Sequence, residues 1–277
     1  MTPETPPPQR RWLIVGVLAV AALLIAAIAL IVVVTRDTGG NGQVATTSAG
    51  TPSDSVPSGT APPGTGTTRP SGSPGPAQFP YQPLFPFSGT ADADAWVRDA
   101  RPGGHQPWHD DAGTIALMFT QKYLGYQHID KVVNTAVQGD QAQVAVGFDN
   151  PNGAAVTASV LHLVRIGSAP NGPWEVVGTG DTTLALTTPV YGATVSSPIS
   201  VGGWITGVDE SLRVRVIGGT GAQPAGTAGP IPAGGTNTPW AATVSFTATC
   251  PATLTVAVGT GGHVADVERF AVTGVRC

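Results

Sequence analysis

The sequence predicts four successive parts: an N-terminal transmembrane helix, a disordered linker, a small α+β domain and a C-terminal all-β sandwich. Three observations predict them. Residues 12–34 form one uncharged apolar run, and residues 35–80 are rich in Gly, Ser, Thr and Pro. Near residue 184 helical periodicity gives way to short strand-like segments separated by turn residues, which is typical of a sandwich.

The run from Trp12 to Val34 predicts a single membrane span. At ~1.5 Å rise per residue its helix would be about 34 Å long, enough to cross a hydrocarbon core. Arg10 and Arg11 precede the run and Arg36 alone follows it closely, which favours residues 1–11 in the cytoplasm and the remainder outside. A cleaved signal peptide is the alternative, although its apolar region is normally shorter.

Residues 35–80 predict a disordered linker between the span and the folded part. They carry almost no large apolar side chains, so they cannot bury enough surface to offset the entropy lost on ordering. The aromatic and proline residues of 81–87 are expected to dock the end of this linker onto the first domain.

Residues 81–183 predict a small α+β domain. Ala91 to Ala100 could form a short helix, and apolar residues at helical spacing predict a second helix from Ala112 to Leu124, capped by Asp110 or Asp111. Gly125 would end this second helix. Four strands should follow, at 131–138, 141–148, 155–166 and 174–179, as an antiparallel meander.

Residues 184–277 predict an all-β sandwich. Strand-like segments occur at 184–188, 199–206, 212–217, 241–247, 254–258 and 269–275. The Gly- and Pro-rich stretch from Gly218 to Pro239 is interpreted as a long irregular connection across one end.

One run near the start of the predicted sandwich has the sequence Thr188-Pro189-Val190-Tyr191-Gly192-Ala193-Thr194-Val195-Ser196-Ser197-Pro198-Ile199-Ser200-Val201-Gly202-Gly203-Trp204. This run resembles the opening of the immunoglobulin-like domain of bacterial spore germination. The resemblance covers about residues 184–275, with a Gly/Pro insertion after Ile217 as a departure. It implies an extracytoplasmic immunoglobulin-like module of an envelope protein. The Ala, Gly, Val, Thr and Pro bias hints at a high-GC bacterium, and the layout is that of an actinobacterial-type single-pass membrane protein.

No stretch of the sequence predicts a catalytic, cofactor or metal site. The chain has no Gly-x-Ser-x-Gly elbow, phosphate loop or dinucleotide fingerprint. His105, His109, Asp110 and Asp111 are the densest group of candidate metal ligands, but Pro107 interrupts the helix that a His pair would need. They are interpreted as capping and surface polar residues.

Other polar and aromatic residues have plain structural interpretations. Asp92, Asp94 and Asp99 fit a solvent-facing helix surface, His162 fits a half-buried strand and His263 an exposed turn. Five of the Trp residues are expected to serve mainly as core anchors: Trp96, Trp108, Trp174, Trp204 and Trp240.

The expected function is that of a non-catalytic binding or scaffolding protein of the cell envelope. The net charge of −4 offers no basic face for nucleic acid, so the expected partners are the membrane and a wall component or envelope protein. The alternative is a small-ligand carrier or an enzyme, using a pocket in the α+β domain with Tyr123, His128 or Arg165 converging on it.

Cys250 and Cys277 are expected to form a disulfide. Both lie far beyond the predicted span, in a compartment that permits oxidation, and each follows a predicted strand of the sandwich. Two free thiols are the alternative.

Overall fold

A computed structural model describes residues 79–180, 182–207, 211–219, 221, 223–262 and 265–277. The predicted span and nearly all of the predicted linker lie outside these residues. Within the described ranges, no helix combines the length and apolar character needed to cross a membrane.

The first half of the described chain is a four-stranded antiparallel sheet preceded by two helices, the second of which packs against the sheet. Its strands are β1 (Lys131–Gln138), β2 (Gln141–Asp149), β3 (Ala155–Arg165) and β4 (Trp174–Thr179), paired in the order β1-β2-β3-β4. The two helices that precede it are α1 (Thr90–Asp99) and α2 (Ala112–Met118). One-turn 3-10 helices at Arg101–Gly103 and Pro107–Asp110 connect them.

Helix α2 begins where a side chain can cap it and ends earlier than the sequence predicts. Asp111 accepts a hydrogen bond from the Thr114 amide at 2.6 Å, which satisfies one of the free N–H groups of the first turn. Beyond Met118 the chain continues as a wider π-helical turn, Phe119–Tyr123, so the prediction of one regular α-helix to Leu124 is wrong in its last part. This turn directs the Tyr123 hydroxyl towards the second half of the chain.

The second half is a pair of antiparallel sheets packed as a sandwich, as predicted. One sheet has the order β5-β6-β9 and the other the order β11-β10-β7-β8. The strands are β5 (Leu184–Thr188), β6 (Ile199–Ile205), β7 (Ser211–Gly218), β8 (Pro224–Pro232), β9 (Thr238–Val244), β10 (Thr253–Thr260) and β11 (Arg269–Arg276).

Strand β8 corrects the prediction of a purely irregular connection from Gly218 to Pro239. It pairs with β7 along Pro224–Pro232 in spite of its three prolines. An edge strand tolerates proline because one row of its backbone groups needs no partner in the sheet. Composition alone suggested a loop, and the position of β8 at the edge of its sheet explains why the chain nevertheless forms a strand.

Strands β10 and β11 are buried on both faces of their sheet. Leu254, Val256 and Val258 point into the sandwich core, together with residues of β6, β7 and β9. Ala257 on β10 and Phe270 on β11 belong instead to the hydrophobic cluster of the first half of the chain. The two halves therefore share one cluster, and the domain boundary between residues 183 and 184 stays a prediction.

Candidate binding cleft

A concave site with several polar groups lies where the two halves of the described chain meet. This junction cleft has a volume of about 600 Å³. Its walls are the segment Pro83–Ser88, Asp92 of α1, Tyr123, Gly219 after β7, and the start of β10 from Pro251 to Thr255. Each wall comes from a different part of the sequence, so only the folded chain brings them together.

One wall is the segment 81–88, which we call the strap. It runs beside strand β4, where the Leu84 amide donates to the Val176 carbonyl at 3.0 Å and the Val176 amide donates to the Phe85 carbonyl at 2.8 Å. Leu84 and Phe87 are buried, which agrees with the expected docking of this segment onto the first domain. The strap therefore covers the β4 edge of the first sheet and presents prolines to the cleft.

Glu175 of β4 fastens the strap from beneath. Its Oε2 atom accepts a hydrogen bond from the Phe87 amide at 3.0 Å, and the side chain is fully buried. Burial holds the pKa of Glu175 well above the usual glutamate value, although the strap amides near Phe87 and Phe85 oppose the shift. Its other oxygen, Oε1, is buried without a hydrogen-bond partner in the described structure, which further disfavours the charged form.

The inner end of the cleft is closed by a polar contact between the two halves. The Tyr123 hydroxyl lies 3.0 Å from Oγ1 of Thr255 on β10, and both side chains are buried. Burial raises the pKa of Tyr123, so its hydroxyl is a neutral donor or acceptor at physiological pH. The Phe85 and Phe119 rings flank the Tyr123 ring at centroid distances of 5.8 and 5.1 Å.

The opposite wall is held by the disulfide. The structure joins Cys250 to Cys277 with a Cα–Cα distance of 5.4 Å, consistent with the expected pairing. The Cys277 amide also donates to the Ala252 carbonyl at 3.0 Å. The covalent link thus fixes the Pro251–Thr253 wall to the end of the last strand.

Asp92 supplies the only charged side chain among the residues that line the cleft. One of its oxygens, Oδ2, accepts from the Ser88 amide at 3.1 Å and from the Ser88 hydroxyl at 3.3 Å. Asp94 accepts from the Ser168 amide at 2.7 Å, and Asp99 forms an exposed ion pair with Arg98. These three carboxylates act separately, and only Asp92 faces the cleft.

His109 lies close behind the strap in a cluster of aromatic rings. Its imidazole centroid lies 4.6 Å from that of Phe87, 4.8 Å from Trp96 and 3.8 Å from Trp108. Burial lowers the pKa of His109 to about 4, so the ring is neutral at pH 7 and acts as a packing group. His105 is exposed, and among the described residues no three His, Cys, Asp or Glu side chains are grouped as a metal site.

The three residues expected to converge on a pocket in the α+β domain lie in different places. Tyr123 lines the junction cleft, whereas the His128 imidazole bonds to the Val267 carbonyl. The Arg165 guanidinium stacks over the Trp174 ring at 4.0 Å. Beneath α2 the core is filled by side chains with no exposed surface, including Ile115 and Leu161. Arg165 and Trp174 line a separate groove of about 540 Å³ between α2 and β1.

The remaining predicted residues divide between core and surface. Trp96, Trp174 and Trp240 are buried and Trp108 is half-buried, as expected of core anchors, but Trp204 is 44% exposed on the outer face of β6. His162 is half-buried and bonds to Gln141 at 3.1 Å. His263 lies outside the described residues.

Comparison of the chain with models of protein families, with curated proteins and with solved structures finds no match.

Sequence reasoning missed Glu175, and a signal for it was present. The segment Trp174–Val177 places one carboxylate inside an otherwise apolar strand, where an ionised side chain would be costly to bury. A lone acid in such a run predicts either an exposed edge position or a buried protonated group. The strap that runs beside β4 makes the second of these two interpretations correct, because it buries the Glu175 side chain.

Proposed function

We propose that this chain is a membrane-anchored, envelope-exposed protein that binds an extended peptide segment of another envelope protein in the junction cleft, without catalysing a reaction. The observation that carries the proposal is the cleft itself, walled by prolines and aromatic rings and holding one carboxylate, Asp92. Grooves lined by aromatic side chains bind polyproline-type segments, whose preformed conformation loses little entropy on binding.

The chemistry of the cleft favours a proline-containing peptide with one cationic side chain. Pro83, Pro86 and Pro251 have no amide N–H to donate, so most of the wall offers apolar contact. The Asp92 carboxylate offers the complementary charge for a Lys or Arg of the ligand. The neutral Tyr123 and Thr253 hydroxyl groups can position the ligand backbone.

A small-ligand carrier is the second candidate, and the size of the same cleft favours it. Sites for small ligands commonly enclose about 300–1,000 Å³, a range that includes this cleft. The residues named for a pocket in the α+β domain do not share one site, because Tyr123 lines the junction cleft, Arg165 lines the groove between α2 and β1, and His128 bonds to Val267.

Residues 184–277 are proposed to be the immunoglobulin-like domain that the run 188–204 resembles. The two antiparallel sheets of β5–β11 support this proposal. The anchor proposal rests on the uncharged run 12–34 and the flanking Arg residues. Protease added to intact, wall-stripped cells should digest the chain beyond residue 36, whereas full protection would refute the proposed topology.

A photo-crosslinking amino acid placed in the full chain at Thr253, inside the cleft, tests the binding proposal. Thr249 is the matched control, because it is exposed on the connection that leads to Thr253 but does not line the cleft. In envelope membranes the Thr253 derivative should give peptide-containing adducts that a proline-rich peptide carrying one Arg suppresses. Asp92→Asn should weaken that suppression several-fold by removing the charge.

The other outcomes of the crosslinking experiment are equally decisive. Adducts with the mass of a small molecule at Thr253 would replace the peptide proposal with the carrier. Equal labelling at Thr253 and Thr249 would refute binding in the cleft altogether.

A further inference from the structure

One edge of the first sheet is covered by another segment of the chain, and the other edge is open. The strap covers the β4 edge through the bridge between Phe85 and Val176. Strand β1 lies at the other edge, paired with β2 on one side, and no described strand pairs with its other side. Every residue of β1 is exposed along Lys131–Gln138. An uncovered edge of this length is a template for pairing with another strand.

The side chains of β1 are also unusually apolar for a solvent-exposed strand. Six large hydrophobic side chains are exposed among the described residues, and three of them, Val132, Val133 and Val137, lie on this strand. Val132, Thr135 and Val137 line a groove beside α2, together with Leu117. Helix α2 therefore leaves the β1 side of the sheet partly uncovered.

Residues 134–138 are suited to pair with a copy of themselves. The ladder between β1 and β2 is irregular between Val132 and Asn134, and it runs in regular register from Asn134 to Gln138. This regular part has no proline and no charge, and the one charged residue of β1, Lys131, already forms an ion pair with Asp149 on β2. No like charges would meet, and none of the inward-pointing charges that block edge pairing in other proteins is present.

We propose that strand β1 is a homodimer interface, in which two copies pair antiparallel about a two-fold axis at Ala136. In this register Thr135 of each copy lies opposite Val137 of the other, on the side of the groove, and Asn134 lies opposite Gln138. The two first sheets then continue as one eight-stranded sheet. A two-fold axis closes the contact, so pairing stops at two chains and does not extend into a fibre.

The expected dimer is weak, because the contact is short. Five residues at about 3.4 Å each extend about 17 Å, well short of the contact that a standard-size interface needs. Pairing should therefore depend on protein concentration in the micromolar range, a regime in which single substitutions change the dimer fraction measurably.

A cysteine at the proposed axis gives the sharpest test. Opposite Cα atoms of an antiparallel pair are about 4.5–5.5 Å apart, within the ~4.4–6.8 Å range that a disulfide accepts. The native cysteines are already joined to each other, so Ala136→Cys adds the only free thiol among the described residues. Val190→Cys is the control, because Val190 is 73% exposed and lies on the connection between β5 and β6.

Under mild oxidation the full-length Ala136→Cys chain should form a disulfide dimer on non-reducing gels, several-fold more than Val190→Cys. Equal crosslinking of the two variants would overturn the proposal. Equal crosslinking would attribute the proximity of the two chains to collision or to the predicted membrane span, and not to pairing at β1.

Introducing a charged side chain at the axis tests the same register without a crosslink. Ala136→Lys and Ala136→Glu each place like charges face to face, and each should weaken the dimer of the detergent-solubilised full chain about fivefold or more in sedimentation experiments. A one-to-one mixture should restore it as a heterodimer. Circular dichroism should show that both variants keep the fold.

A wild-type chain that stays monomeric up to about 100 μM, above the micromolar range expected of so small an interface, would overturn the proposal. The open edge would then belong to a different strand, from residues outside the described ranges or from another protein. A dimer that both charge variants retain would likewise exclude β1 as the interface.

Discussion

Strands β1 and β10 are both eight residues long and both contain valines and no proline, yet their surroundings are opposite. All of β1 is exposed, whereas seven of the eight residues of β10 are buried. Strand β10 lies between β7 and β11 in its sheet and between two hydrophobic clusters across its faces. The environment of a strand thus depends on what packs on each side of it, and its own pattern of residues does not reveal this.

The largest contrast is expected from one substitution made in both strands. Ala257→Glu would place an unpaired carboxylate in the cluster that joins the two halves, at a position with no exposed surface. It should destabilise the chain by more than about 4 kcal/mol or prevent folding. Ala136→Glu on β1 should change the free energy of unfolding by less than about 0.5 kcal/mol. Urea unfolding of both variants measures the difference, and similar losses would contradict the assigned surroundings.

The second contrast concerns the disulfide that joins the residue pair flanking β10 and β11. Replacing both Cys250 and Cys277 by Ser opens a loop with a sequence separation of 27 residues, and it should lower the free energy of unfolding by about 3.5 kcal/mol on the chain-entropy account. Amide hydrogen exchange should rise first near Ala252, whose carbonyl bonds to the Cys277 amide. Exchange in β1 should be the same in both forms, and an unchanged melting temperature would show that the link adds no stability.

Strand β4 is a third case, because it is an edge strand that the strap covers, and its residue Glu175 lies beneath the strap. Because its pKa is raised in the folded chain, the folded form keeps a proton that the unfolded form has lost. The contribution of Glu175 to the free energy of unfolding is therefore greatest below the usual glutamate pKa. It falls as the pH rises towards the raised pKa, by up to about 1.4 kcal/mol per pH unit.

Glu175→Gln should remove that slope while its amide oxygen still accepts the bond from the Phe87 amide. Asp149→Asn at the exposed end of β2 is the control and should leave the slope in place. Melting temperatures between pH 5 and 9 decide the matter, and equal slopes in wild type and Glu175→Gln would refute a buried neutral carboxyl group.

The smallest contrast is a single hydroxyl group. Thr255→Val on β10 removes the partner of the Tyr123 hydroxyl inside the junction and should cost about 1 kcal/mol. Thr135→Val on β1 should cost nothing measurable, since that side chain is exposed. A double-mutant cycle with Tyr123→Phe should show coupling between the two positions. Additive effects would mean that the contact contributes no stability of its own.

Most strands could be located from the sequence, but their surroundings could not. In β10 the residues Thr255, Ala257 and Gly259 alternate with large aliphatic ones, the usual pattern of a strand with one solvent face. Small side chains suit a tightly packed second interface equally well, and the neighbours that decide between the two are distant in sequence. For Val132 and Val137 of β1 the ambiguity runs the other way, because the pattern suggests half-burial and the structure leaves both exposed.

The candidate cleft was harder to predict than the strands. Its walls come from residues 83–92, 123, 219 and 251–255, so no local window of sequence contains it. Tyr123 could be proposed from the sequence as a pocket residue, but its partner Thr255 could not, because 132 positions separate them. The disulfide could be predicted from the sequence, since two cysteines beyond a predicted span have few other possible partners.

The shared cluster also sets an order of events during synthesis. Tyr126 packs against Phe270, and their ring centroids are 5.3 Å apart, so the first half of the chain cannot complete its core until the last strand has been made. The 144 residues from 127 to 270 take roughly 7–29 s to translate at ~5–20 residues per second. For that interval the nascent chain carries an unfinished apolar surface, and a truncation that removes only β11 would leave that surface exposed permanently.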